Sequence, residues 1–171
     1  MTELRIGDQL IRFDRDATVL AYSKVQQGDA DRCPCSGCRN FVLLRDKAYP
    51  DTFRDLLNTI GIDSKKEGEA VHYGPKGDLR FYGGWFYFVG KLVEPGERLS
   101  NASDSFQYWI GTSVPQPPSA FGERVPAVEF TTLLPWVLDE PYDPIGDVQA
   151  VKAEEIMNRY PKTLQKLANS E

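Results

Sequence analysis

The sequence predicts an α+β fold: a mainly antiparallel sheet, a two-helix insertion after a cysteine knuckle, and a C-terminal helix. Three observations predict it. Strand-like runs lie near the start and through the middle of the chain, and a stretch of helical period separates them at residues 38–60. Strands and helices do not alternate one for one, as a parallel sheet built from βαβ units would require. With 171 residues the chain fits a single domain, residues 1–146, followed by a helical appendage, residues 147–171.

The elements follow in order. Leu4, Ile6, Leu10, Ile11 and Phe13 place a strand in residues 4–13, and the β-branched run 18–25 reads as a second. A hairpin around Asp14-Arg15-Asp16 would join them. Residues 26–32 form a polar loop. From Cys38 onward Phe41, Leu44 and Ala48 share one helical face. That helix stops near Tyr49-Pro50, because a residue before proline avoids the helical region. Asp51 is placed to cap a second helix carrying Phe53, Leu56, Leu57 and Ile60, and Gly61 to end it in the left-handed conformation. After a charged connector, residues 69–73 read as a strand and residues 74–78 as a turn. Residues 79–93 are the most strand-like of the chain. They are apolar on both faces, which marks a central strand. Gly83-Gly84 within it signals a bulge or a close backbone approach. Strands at 105–114 and 128–134 follow, separated by a stiff loop at Pro115-Gln116-Pro117-Pro118. A proline-rich acidic crossing segment, 138–146, leads to Asp147, the expected cap of a last helix with Val151, Ile156, Met157 and Tyr160 as its apolar positions.

Composition narrows the function classes. The 20 Lys+Arg against 25 Asp+Glu give a net charge of −5, which argues against a nucleic-acid binder. No apolar run approaches the roughly 20 residues of a membrane-spanning helix. The charged start, Met1-Thr2-Glu3-Leu4-Arg5, does not resemble a secretory signal, and three cysteines crowded together suit a reducing compartment. The expected location is cytoplasmic. A single histidine excludes multi-histidine metal sites.

The most specific local feature is Cys33-Pro34-Cys35-Ser36-Gly37-Cys38. Thiols at this spacing can converge in one turn, and three readings follow. Thiolates suit zinc, and Cys33, Cys35, Cys38 and His72 would complete a Cys3His set, provided the sheet returns His72 beneath the knuckle. Alternatively, Cys35 and Cys38 at a helix start form a thiol-redox pair, since the helix dipole favours a thiolate there. Third, the cysteines act as small residues shaping a turn.

Cys35, Cys38, Asn40 and Phe41 form the pattern C-x2-C-x-N-[FY]. Downstream come the glycine-aromatic strand positions Tyr82, Gly84, Trp85, Val89 and Gly90, then Pro135-Trp136-Val137-Leu138. On these residues the chain, over about residues 9–140, resembles a family of small uncharacterised bacterial proteins. The resemblance implies that knuckle and central strand belong to one domain. It implies no activity.

Other constellations are weaker. Asp29, Asp31, Asp139, Glu140, Asp143 and Asp147 lie in polar segments and read as solvated acids. There is no phosphate loop and no nucleophile elbow, so no complete catalytic set is visible. Trp85, Tyr87, Tyr108 and Trp109 fall on neighbouring strands and, with Trp136, are the candidate binding aromatics, although a core needs most such residues. Trp109 is placed on the opposite strand face from Tyr108. The leading expectation is a non-enzymatic binding or interaction module, of the immunity type, that neutralises a basic protein partner. The alternative is a zinc knuckle or thiol-redox protein centred on Cys33, Cys35 and Cys38, with zinc as the one implied cofactor.

Overall fold

A computed structural model of the chain describes residues 1–96, 99–103 and 105–147. The expected C-terminal helix from residue 148 onward lies outside the described residues. The fold is α+β. Strands β1 (Thr2–Ile6), β2 (Gln9–Phe13) and β5 (Gly90–Glu94) form one antiparallel sheet in the order β1-β2-β5. Strands β3 (Glu69–Lys76), β4 (Leu79–Tyr87), β6 (Leu99–Ser103), β7 (Phe106–Gly111) and β8 (Ala127–Leu134) form the other, in the order β3-β4-β8-β7-β6.

The N-terminal segment differs from expectation. The hairpin turns at Gly7-Asp8, with Ile6 opposite Gln9 and Gly7 at φ 60. Residues 18–25 are no strand, because Asp14 starts helix α1 (Arg15–Lys24). Its carboxylate accepts the Ala17 N–H at 2.9 Å, and the Thr18 hydroxyl donates to the Asp14 carbonyl. An N-cap, Asp16 in the first turn, Lys24 in the last, and burial of Thr18, Ala21 and Tyr22 together outweigh the β-branched residues. Helix α2 (Asp29–Arg32) interrupts the expected polar loop.

Helix α3 (Ser36–Ala48) buries Phe41, Leu44 and Ala48, as its period requires. Helix α4 (Asp51–Ile60) is capped at Pro50 without a side-chain bond, so Asp51 is its first residue rather than its cap. Gly61, at φ 90, ends it as expected.

The apolar run 79–93 serves two sheets. β4 lies between β3 and β8, a central strand as predicted, but after Phe88-Val89 the chain continues as β5 beside β2. Gly84 marks the close approach, since a Cβ there would lie 2.3 Å from the Glu69 carbonyl oxygen of β3. The core sits between α3, α4 and the larger sheet. Phe53 meets Phe106 at 4.9 Å and Tyr49 meets Phe130 edge-on at 5.2 Å between ring centroids. Buried Gln9 joins the two sheets: its amide donates to the Ile110 carbonyl at 2.9 Å and accepts the Ile110 N–H at 2.8 Å. Among the described residues no helix is long and apolar enough to cross a membrane.

Candidate metal centre

Two helix ends meet at the knuckle with Pro34 as their only spacer. Cys33 closes α2, its N–H donating to the Ala30 carbonyl. Cys35 is the N-cap of α3, where its sulfur accepts the Cys38 N–H at 3.3 Å. Because a helix leaves its first N–H groups without internal partners, a cysteine at this position turns its sulfur toward them. Cys38, one turn into α3, then faces the same point. The Sγ atoms of Cys33, Cys35 and Cys38 lie within 4.8 Å of one another, and those of Cys33 and Cys35 are 3.3 Å apart. Tetrahedral zinc with bonds of about 2.3 Å to sulfur needs sulfurs about 3.8 Å apart. The cluster is close enough to share one ion.

The thiols are unequal. Hydrogen bonds from the Cys38 thiol and N–H bring Cys35 down to about 6. The same pairing, together with burial, holds Cys38 far above the ordinary thiol value, and burial raises Cys33. Asp147 stands beside them. Its carboxylate accepts the Ser36 N–H at 2.7 Å and the Ser36 hydroxyl at 2.8 Å, so it caps α3 through space and opposes ionisation of Cys35. The sequence assigned Asp147 to the start of the last helix. Its carboxylate also reaches back across residue 146 to the start of α3.

A buried hydrogen-bond chain supports the turn. The Tyr82 hydroxyl donates to the Gly37 carbonyl at 3.0 Å and accepts from the Asn40 side-chain amide at 3.0 Å. Asn40 also donates to the Pro135 carbonyl and accepts the Val137 N–H at 2.8 Å. This chain gives Asn40 of the C-x2-C-x-N pattern, Tyr82 and the Pro135-Trp136-Val137 segment one shared task, which is to hold the start of α3 against the sheet.

His72 comes close but does not join the sulfurs. It packs against Gly37, where a Cβ would sit 2.8 Å from its Nδ1, and it stacks on Tyr82 at 4.7 Å with Tyr142 edge-on at 4.8 Å. Among the described residues the group of ligand atoms within 4.8 Å consists of the three cysteines, and His72 is outside it. Its Nε2 is buried without a hydrogen-bond partner, and burial followed by Arg80 holds the imidazole below its usual value.

The expected binding aromatics scatter. Tyr87 and Tyr108 are buried in the core, Tyr87 donating to the Pro115 carbonyl and Tyr108 packing on Phe53. Trp85 and Trp109 are half-buried. Trp136 is fixed as a cover, its indole N–H donating to the Glu140 carbonyl at 2.8 Å and Arg80 lying over its ring.

Two supporting residues escaped the sequence reading. Glu67 is buried and accepts the Ala30 N–H and the Arg45 guanidinium, each at 3.0 Å. Arg45 also reaches Asp31 at 2.9 Å. This network fixes α2, and with it Cys33. Burial raises the Glu67 carboxyl, and Arg45 opposes that shift. One signal was present: Arg45 lies on the same helical stripe as Phe41 and Ala48, and a charge on an apolar stripe implies a buried partner.

Compared with known protein families, with curated proteins and with solved structures, the chain matches none.

Proposed function

We propose that this protein binds one thiophilic metal ion, zinc foremost, through Cys33, Cys35 and Cys38. The observation that carries the reading is the convergence of three sulfurs within 4.8 Å at the junction of two helix ends. Three thiolates supply the charge and softness that zinc prefers, and they leave a fourth position for water. The ion would lock α2 to α3, adding to the Glu67–Arg45 network. Asn40, Tyr82 and Asp147 are the surrounding positioning residues. The module reading, with a basic partner, rests on the acidic balance and on the half-buried Trp85 and Trp109, whereas Tyr87 and Tyr108 are core and Trp136 is a cover.

Cobalt(II) titration tests the reading. Tetrahedral thiolate coordination should produce visible d–d bands and a near-ultraviolet sulfur-to-cobalt band that saturate at one equivalent and vanish on adding zinc. A spectrum no different from cobalt in buffer would overturn it. Cys35→Ser should weaken binding at least tenfold.

A further inference from the structure

We propose that Cys33 and Cys35 are a peroxide-oxidised pair: a hydroperoxide closes a disulfide between them, and the ion held by the three sulfurs is released. The release rests on the metal reading above, whereas formation of the bond does not.

Geometry selects the pair. The two sulfurs are 3.3 Å apart, so they need to close by about 1.3 Å to reach disulfide length. Both residues are extended and lie outside the helices, with Pro34 between them. Their union therefore unwinds no helical turn. Cys38 is 6% exposed and sits inside α3, so pairing it would draw a core residue from its place. Cys33 and Cys35 are half-buried, and Cys33 lines an open groove of about 340 Å³ with Val42, Leu43 and Leu138. The groove opens onto Cys33, and the partial exposure of Cys35 leaves its sulfur within reach of a small hydroperoxide. Cys35 is the attacking sulfur, because the Cys38 N–H points at it.

The chemistry balances in two steps. The Cys35 thiolate attacks the distal peroxide oxygen. The O–O bond breaks, Cys35 becomes a sulfenic acid, and the leaving alkoxide or hydroxide takes a proton from water. The Cys33 sulfur then attacks Cys35, its proton leaves with the sulfenic oxygen as water, and the disulfide forms. Two electrons pass from the sulfur pair to the peroxide. Only Cys38 remains as a thiolate ligand, too few to retain zinc.

The test uses the full chain in zinc-loaded and chelator-stripped forms, each given one equivalent of hydrogen peroxide. The stripped form should lose 2 Da, the mass of two hydrogens. Trypsin leaves residues 33–39 as one peptide carrying all three cysteines, so the remaining thiol is alkylated and located by fragmentation. The label should fall on Cys38. A label on Cys33, or no mass loss, overturns the proposal. Cys33→Ser should stop at the sulfenic acid, trapped by dimedone on Cys35; a full disulfide in this variant also overturns it. In the zinc-loaded form, zinc should appear in solution at the rate of bond formation, and zinc retained beside a formed bond overturns the coupling. Zinc binding without the bond leaves the metal reading standing and sinks this one. The bond without zinc binding does the reverse.

Discussion

Asn40 makes the residue-scale case. It carries no sulfur, yet it gives the C-x2-C-x-N spacing a structural role by joining α3, β4 and the Pro135-Val137 segment through three hydrogen bonds. Asn40→Ala removes three hydrogen bonds of a fully buried side chain, although Pro135 and Val137 lie at the surface and Tyr82 keeps its bond to Gly37, so the urea midpoint should fall by the equivalent of about 2 kcal/mol. Cys35 offers a second prediction. In metal-free protein its alkylation rate should rise through an inflection near 6, and Asp147→Asn should move that inflection lower by removing the opposing charge. Iodoacetamide kinetics across pH check both. The cysteines were legible as a site because their spacing is local. The exclusion of His72 from the cluster was not, because it depends on the register of β3 and on Gly37 lying against the imidazole.

At the scale of elements, α3 and α4 were readable because their apolar positions recur with helical period and Pro50 and Gly61 punctuate them. α1 was not, since Thr18, Val19 and Val25 mimic a strand and the Asp14 cap decides otherwise. β6 has a polar sequence, Leu99-Ser100-Asn101-Ala102-Ser103, without alternation, and only its partner β7 makes it a strand. α2 is four residues long and depends on Glu67 for its place. That dependence carries a pH signature. The Glu67 carboxyl is raised in the native state, so from the ordinary carboxyl value, about 4.3, upward the folded chain holds its proton more tightly than the unfolded chain. Native stability therefore falls as pH rises through that window. Glu67→Gln does not titrate, so the unfolding free energy of the wild type minus that of the variant should decline across the window and level off above it. A flat difference in urea titrations from pH 4 to 8 would remove Glu67 from the account.

At the scale of the whole molecule, one continuous apolar run becomes two strands in two sheets, and no local pattern announces where it divides. The division follows from the partners: β8 beside β4, and β2 beside β5. Gln9 then fastens the smaller sheet to the larger. Gln9→Ala leaves the Ile110 N–H and carbonyl unpaired in a buried position and should cost about 2–4 kcal/mol by chemical denaturation, whereas Gln9→Glu keeps only the acceptor half of the clasp. The larger sheet, α2, α3 and the segment after β8 bear on the knuckle, because the chain brings Asp147, Tyr82, Asn40 and Glu67 to it from positions far apart in sequence.

The central claim is that three sulfurs hold one ion, and elemental analysis of protein purified without chelators tests it most directly. The account predicts one zinc per chain, lost when Cys33, Cys35 and Cys38 are all replaced by serine in a chain that retains its circular dichroism. Metal-free protein with three thiols freely titratable by a chromogenic disulfide, unchanged after incubation with excess zinc and desalting, would contradict it.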